Sequence, residues 1–261
     1  MRHCFQSVVI PVVLFALSTA ASSVGAQESE QWTAAKQIEL MKELTGQIDE
    51  CDAGLKRTPD NIPLLSQRGD CHFFLGNFDE AVADYTRMIE VDAEQGPSHW
   101  RRGIALFYAG KHGAGAEQFE RYHSFDNVDR ENGIWRYFCQ FKAVGKEQAQ
   151  KELLRYEKDD REPFPAVYKL FSGELKSEDV MLGIQLAKRT SEQQASCEFY
   201  ANLYVGLNAA LEGDDELALK HLAEATNNNW PREAGYGPRY MWHVGRLHAD
   251  LLRKKAEAKP E

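Results

Sequence analysis

The fold is decided by residues 68–85, RGDCHFFLGNFDEAVADY, because a related stretch stands 34 positions later at residues 102–119, RGIALFYAGKHGAGAEQF. Residues that keep this spacing include Gly69 and Gly103, Gly76 and Gly110, and Tyr85 and Phe119. Repetition at this period is typical of a solenoid, in which each unit buries its apolar face only against its neighbours. We therefore expect stacked units instead of one compact core.

Each copy predicts a hairpin of two helices. Gly76 supplies the turn after the first helix, and Asp79 is expected to cap the second. Ala81, Tyr85 and Met88 then recur at steps of four and three, which places them on one packing face of the second helix. One hairpin cannot bury such a face alone, so the copies must stack.

The stretches Arg68-Gly69, Leu75-Gly76-Asn77-Phe78-Asp79-Glu80-Ala81 and Asp84-Tyr85 resemble the tetratricopeptide repeat (TPR). The run EFYANLYVGL at residues 198–207, followed by Gly213-Asp214, resembles the TPR segment of exported NlpI-like bacterial proteins. Those are commonly lipoproteins, and this chain lacks the lipid-bearing Cys. The resemblance implies an all-α, right-handed superhelical solenoid with capping helices at both ends, and a function in protein–protein interaction.

The repeats divide the chain into six predicted segments. They are a signal peptide at 1–26, an N-terminal capping helix at 27–61, about three TPR repeats at 62–162, an irregular helical connector at 163–198, a TPR-like repeat at 199–232, and a C-terminal capping helix with a charged tail at 233–261. In the N-terminal cap, one face is predicted to pack on the first hairpin through Trp32, Ile38, Met41, Leu44 and Ile48.

The signal peptide is indicated by a short basic start, an apolar run from Val8 to Leu17, and the small-residue site Val24-Gly25-Ala26. The apolar run is about half of the ~20 residues that a membrane-spanning helix needs. We expect cleavage near Ala26, and an exported bacterial protein, periplasmic or secreted, with no membrane span after cleavage.

The charge and the motifs exclude several functions. The chain has 31 Lys and Arg against 40 Asp and Glu, a net charge of −9, which argues against nucleic-acid binding. No hydrolase, phosphate-loop or metal-ligating motif is present, so no catalytic residue, cofactor or metal is predicted. The acidic pairs Asp159-Asp160 and Asp214-Asp215 are interpreted as solvated residues near helix starts.

Export permits disulfides between the four cysteines that follow residue 26. A turn near Asp60-Asn61 would place Cys51 and Cys71 at similar heights on antiparallel helices, so a bond between them is one possibility. Buried free thiols that act as small apolar residues are the alternative.

The first helix of each TPR-type hairpin faces the concave side of the stack. This register predicts a partner-binding groove lined by Phe73, Trp100, Ile104, Phe107 and Trp135. Large aromatic side chains are typical interface hot spots, and such a groove would suit a peptide or a helix. The alternatives are that these residues form the core between repeats or lie under the N-terminal helix.

The favoured function is a non-catalytic exported scaffold or adaptor for protein partners, for example in a cell-envelope assembly. Two alternatives stay open. One is a hydrolase-like envelope enzyme on a helical frame, which would need polar groups that converge in one pocket. The other is a structural protein that forms a homodimer through its terminal helix.

Overall fold

The computed structural model describes residues 32–158 and 160–258, and these ranges contain helices and no strand. The predicted signal peptide lies outside the described residues. The helices are α1 Ala34–Leu55, α2 Ile62–Leu75, α3 Phe78–Val91, α4 Trp100–Tyr108, α5 His112–Phe125, α6 Arg130–Val144, α7 Lys146–Lys151, α8 Phe164–Ser172, α9 Ser177–Leu186, α10 Ser191–Glu212, α11 Asp215–Asn227, α12 Trp230–Glu233 and α13 Tyr236–Glu257. One turn of 3-10 helix follows α3 at Ala93–Gln95.

The 34-residue repeat corresponds to two hairpins, α2–α3 and α4–α5, that are closed by the same contact. A Cβ on Gly69 would lie 2.8 Å from the Tyr85 ring, and a Cβ on Gly103 would lie 2.5 Å from the Phe119 ring. Real Cβ atoms do not approach this closely, so glycine is needed for the aromatic ring of the second helix to reach the first. The repeated glycine and the repeated aromatic residue therefore form one steric contact, which occurs in both hairpins.

A repeated arginine also joins the two helices of each hairpin. Arg68 donates to Asp84 at 2.9 and 2.6 Å, and Arg102 donates to Gln118 at 2.8 Å, in both cases 16 residues further along the chain. Arg68 in addition donates to Asp52 of α1 at 2.6 Å. These contacts fix α1, α2 and α3 as one unit.

Successive helices pack on their neighbours along the chain, from α1 through α6 and again from α8 through α11. In the hairpin α10–α11, Gly213 ends α10 in the left-handed conformation at φ 86°, as Gly76 does for α2 at φ 84°. The prediction of an all-α helical-repeat solenoid is confirmed. None of the helices in the described ranges has the length and apolar character that crossing a bilayer requires.

Two local expectations are wrong. Helix α3 begins at Phe78, so Asp79 lies inside its first turn, where it pairs with Lys111 at 2.6 Å. In α1, Leu44 is buried, but Ile38 is 69% and Met41 46% exposed. The 22-residue α1 is about 12 Å longer than the 14-residue α2, so its first turns extend beyond the hairpin they were expected to cover.

The C-terminal helix α13 returns to the start of the solenoid. It packs on α11 and α12 and also on α2. Its Tyr240 ring stacks on Phe73 at a centroid distance of 4.9 Å, and Arg246 donates to the carbonyl oxygen of Phe74 at 2.5 Å. Gln37 of α1 donates to Asp250 at 2.9 Å. Helix α13 therefore connects the last hairpin to the first one.

Candidate binding site

The structure places a helix of the same chain on the predicted groove. Phe73, Ile104, Phe107 and Trp135 are buried, and only Trp100 is partly exposed. Tyr240 of α13 covers Phe73 and contacts the Trp100 ring at 4.9 Å. Phe107 packs on Trp135 at 5.6 Å. The predicted groove is therefore not open, because α13, and not the N-terminal helix, packs on the face of α2 and α4. Partner binding by these residues stays a prediction.

Beside α13 the same face keeps a cavity of about 410 Å³, to which α4, α5, α6, α10, α12, α13 and Arg161 of the connector contribute. Three of the five predicted groove residues line it, namely Trp100, Ile104 and Trp135. The structure thus brings these three together at the cavity, whereas Phe73 and Phe107 do not line it. Further aromatic walls come from Tyr122, Tyr200 and Trp230. Trp100 and Trp230 are the partly exposed members of this wall.

The polar side of the cavity is built at the start of α6. Asp129 is the N-cap, and its carboxylate accepts from the backbone N–H of Glu131 at 3.0 Å. Asp160, from the segment before α8, accepts from the backbone N–H of Arg130 at 3.1 Å. Carboxylates are favoured at this position by the unpaired N–H groups and by the helix dipole. The fold of α6 alone therefore explains why acidic residues gather here.

Arg161 joins the carboxylates. Its Nη2 lies 2.5 Å from Glu131, and its Nη1 lies 3.4 Å from Asp160 and 3.6 Å from Asp129. The guanidinium carbon lies 4.3 Å from the centre of the Phe164 ring. The Arg161 side chain is 47% exposed, so it forms the solvent side of the cluster.

Burial raises the pKa of Glu131 to about 7, although the neighbouring Arg161 opposes this shift. The Tyr204 hydroxyl donates to Glu131 Oε1 at 2.5 Å, while Arg161 occupies Oε2. Burial also raises the pKa of Asp129, against the effect of the same arginine. Two of the three carboxylates are therefore held in surroundings that disfavour their charge.

The sequence patterns do not indicate Asp129, Glu131 or Arg161 as site residues, and they predict Asp160 as a solvated residue near a helix start. Asp160 does lie near the start of a helix, but its side chain is only 10% exposed. The pattern Asp129-Arg130-Glu131 before an aromatic run could have indicated a capped helix start. Arg161 lies in the irregular connector outside the clean repeats, where no register predicts what it contacts.

The four cysteines of the described ranges are buried free thiols. Cys71 Sγ lies 3.3 Å from Gln47 Oε1, and burial raises the Cys71 pKa to about 12. A thiol with so high a pKa reacts slowly, because the thiolate is the nucleophile. A bond between Cys51 and Cys71 is not formed in this structure and stays a prediction.

Within the part of the chain that the structure describes, no group of three or more His, Cys, Asp or Glu residues is placed to hold a metal ion. The cavity does contain converging polar groups, which the enzyme alternative requires. Both oxygens of Glu131 are already bonded, Oε1 to Tyr204 and Oε2 to Arg161.

No protein-family model matches the chain. Over 93 residues, which are 36% of this chain, it is 29% identical to the protein SGT1 homolog of Bos taurus. The match covers 28% of that relative, so the chain spans under a third of the relative's length. The partial similarity and the helical hairpins together fit a TPR-like helical-repeat protein.

Proposed function

We propose that the chain is a non-catalytic exported scaffold that binds a segment of a partner protein, for example in a bacterial cell-envelope assembly. The proposal rests on the helical-repeat architecture and on the partial similarity described above. The observation that carries it is the aromatic cavity beside α13, where Trp100 and Trp230 keep exposed surface. Cavities of about 300–1,000 Å³ with aromatic walls and few polar groups are typical ligand sites.

The position of α13 supports this function in a second way. The α2–α4 face already holds one helix through Phe73, Phe74 and Trp100, which contact Tyr240 and Arg246. This contact combines stacked aromatic rings with a hydrogen bond to the backbone. A partner segment would use the same kind of contact at the part of the face that α13 leaves open.

The test is affinity capture from the native envelope with the mature protein, comparing wild type with Trp100→Ala. We expect the variant to lose one partner that the wild type recovers, while its circular dichroism spectrum is unchanged. The matched control is Phe125→Ala, since Phe125 is 63% exposed on α5 and does not line the cavity. Equal recovery of every partner by wild type and Trp100→Ala would contradict the proposal.

The enzyme alternative keeps one supporting observation, the raised pKa of Glu131 in a cavity. Turnover of any substrate that is abolished by Glu131→Gln would replace the scaffold hypothesis. Homodimer formation stays a separate prediction, which light scattering of the mature protein would measure.

A further inference from the structure

We propose that a second groove, between α9 and α11, binds a saccharide that carries acetamido groups. The residues that line this groove and those that line the cavity beside α13 have Trp230 in common. The inference goes beyond the proposed function, since it assigns a ligand class to a different surface. It follows from a buried histidine with one unbonded ring nitrogen, from the amide groups and apolar wall of the groove, and from the position of Trp230.

The groove is large enough for a small ligand and is close to neutral. Its volume is about 750 Å³, within the range of about 300–1,000 Å³ that is typical of ligand sites. Helices α9 and α11 both pack on α10, and all three line the groove. Its charged residues are Glu198, Lys220 and Glu224, which together carry a net charge of −1. Hydrogen bonds and apolar contacts therefore decide what binds there.

The polar centre of the groove is His221 of α11, which is 9% exposed. The Asn202 amide nitrogen donates to the carbonyl oxygen of Glu198 at 2.9 Å, which leaves its Oδ1 for His221 Nδ1 at 2.8 Å. An amide oxygen only accepts, so Nδ1 carries the proton and Nε2 keeps its lone pair. Burial lowers the pKa of His221, which favours this neutral form.

Nε2 of His221 is an acceptor that a ligand can use. Within the described residues it has no hydrogen-bond partner, whereas Asn202 fixes the orientation of the ring through Nδ1. A polar atom of a nearly buried side chain is stabilised when a donor reaches it. The groove thus favours a ligand that places an N–H or O–H group beside Nε2.

The remaining walls match an acetamido sugar. Asn227 and Gln185 present amides, which donate and accept and so match sugar hydroxyls. Met181, Ile184 and Ala195 form an apolar wall. An acetamido group combines an N–H donor for an acceptor such as an imidazole nitrogen, a carbonyl oxygen for an amide donor, and a methyl group for apolar surface.

Trp230 supplies an aromatic surface that is held in place. Asn228 Oδ1 accepts from the Trp230 backbone N–H at 3.0 Å, and Asn228 Nδ2 donates to the carbonyl oxygen of Ala195 at 2.7 Å. The indole also packs on Phe199 at 6.0 Å and keeps partly exposed surface. One face of a pyranose ring consists of C–H groups, and such a face packs well on an aromatic ring.

Three ligands test the inference on the purified protein. They are triacetylchitotriose, cellotriose, which is the same trisaccharide with hydroxyls in place of the acetamido groups, and acetyl-trialanine amide, which has amides but no sugar. The chain has five tryptophans, so labelling with fluorotryptophan and fluorine NMR follows each of them. The signals of Trp230 and Trp100 are assigned from the Trp230→Phe and Trp100→Phe variants.

We expect triacetylchitotriose to shift the Trp230 signal saturably and to leave that of Trp100, which lines the other cavity, unchanged. Cellotriose and the tripeptide should bind at least about tenfold more weakly. His221→Phe and Asn227→Ala should each weaken triacetylchitotriose by about three- to tenfold, as the loss of one hydrogen bond does. The matched control is Asn127→Ala, an exposed asparagine outside the groove, which should leave binding unchanged.

Any of four results would overturn the inference: no saturable shift of Trp230, equal binding of cellotriose, equal or tighter binding of the tripeptide, or unchanged affinity in both His221→Phe and Asn227→Ala. If His221→Phe does not fold, as its circular dichroism spectrum would show, Asn227→Ala decides. Partner capture that depends on Trp100 tests the other cavity, so the proposed function and this inference fail or stand separately.

Discussion

At the scale of single residues, Glu131 is a buried carboxyl group whose ionisation affects stability. It is held between Tyr204 and Arg161 in a site that raises its pKa from 4.5 to about 7. Between these two values the native chain binds more protons than the unfolded chain. This residue therefore makes the protein less stable as the pH rises through that window.

Glu131→Gln removes this titration. Since one pKa unit corresponds to about 1.4 kcal/mol, the stability of the variant relative to wild type should rise by about 2–3 kcal/mol between pH 4.5 and pH 8. Urea denaturation at several pH values measures this difference. Glu80→Gln, which removes an exposed carboxyl group of α3, is the control. A difference that is the same at every pH would contradict the raised pKa.

At the scale of elements, the sequence predicted the helices of the repeats well. Gly69 and Tyr85 recur 34 residues later as Gly103 and Phe119. One steric contact between the glycine and the aromatic ring explains why both residues are repeated. The position of α13 could not be predicted in the same way. Its contacts with α2 join residues more than 160 positions apart, and no periodic pattern encodes such a pairing.

For the candidate site too, the residues that follow the repeat register were predictable, and those that depend on tertiary contacts were not. Trp100, Ile104 and Trp135 were found because the register of the repeat indicates one face. Asp129 and Glu131 were not found, because acidic residues at a helix start have an ordinary local explanation. Only the tertiary contact with Arg161, from the irregular connector, distinguishes them.

The packing of α13 on α2 should respond to truncation of Tyr240. This side chain is fully buried between Phe73, Phe74 and Trp100. We expect Tyr240→Ala to lower the free energy of unfolding by about 3–5 kcal/mol, as for other large aromatic truncations. Hydrogen exchange of the α2 amides should become faster in the same variant.

The control for this truncation is Phe125→Ala, where an exposed ring of α5 is removed. Its effect should stay within about 0.5 kcal/mol. Unchanged exchange in α2 of the Tyr240→Ala protein would mean that α13 does not protect that helix.

At the scale of the whole molecule, α13 changes what a repeat array does on unfolding. A solenoid whose units contact only their neighbours can unfold unit by unit. Here α13 contacts α11 near one end and α2 near the other, so neither end can open without losing this helix. The described chain is therefore a closed arrangement and not an open stack.

We expect one cooperative transition in denaturant, with coincident curves from far-UV circular dichroism and tryptophan fluorescence. Weakening the contact with Tyr240→Ala should separate the two curves, because the ends are then less well coupled. Separate curves in the wild type would show that the closure by α13 does not couple the ends.

The first turn of α13 links the cavity to α2. Gly237 and Pro238 line the cavity, while Tyr236, beside them, donates to Asp70 of α2 at 2.6 Å. A ligand that touches this turn binds better to the seated helix than to a released one. The two equilibria must then be reciprocal: occupancy of the cavity favours the seated α13, and a substitution in α2 that releases α13 weakens ligand binding through the same coupling.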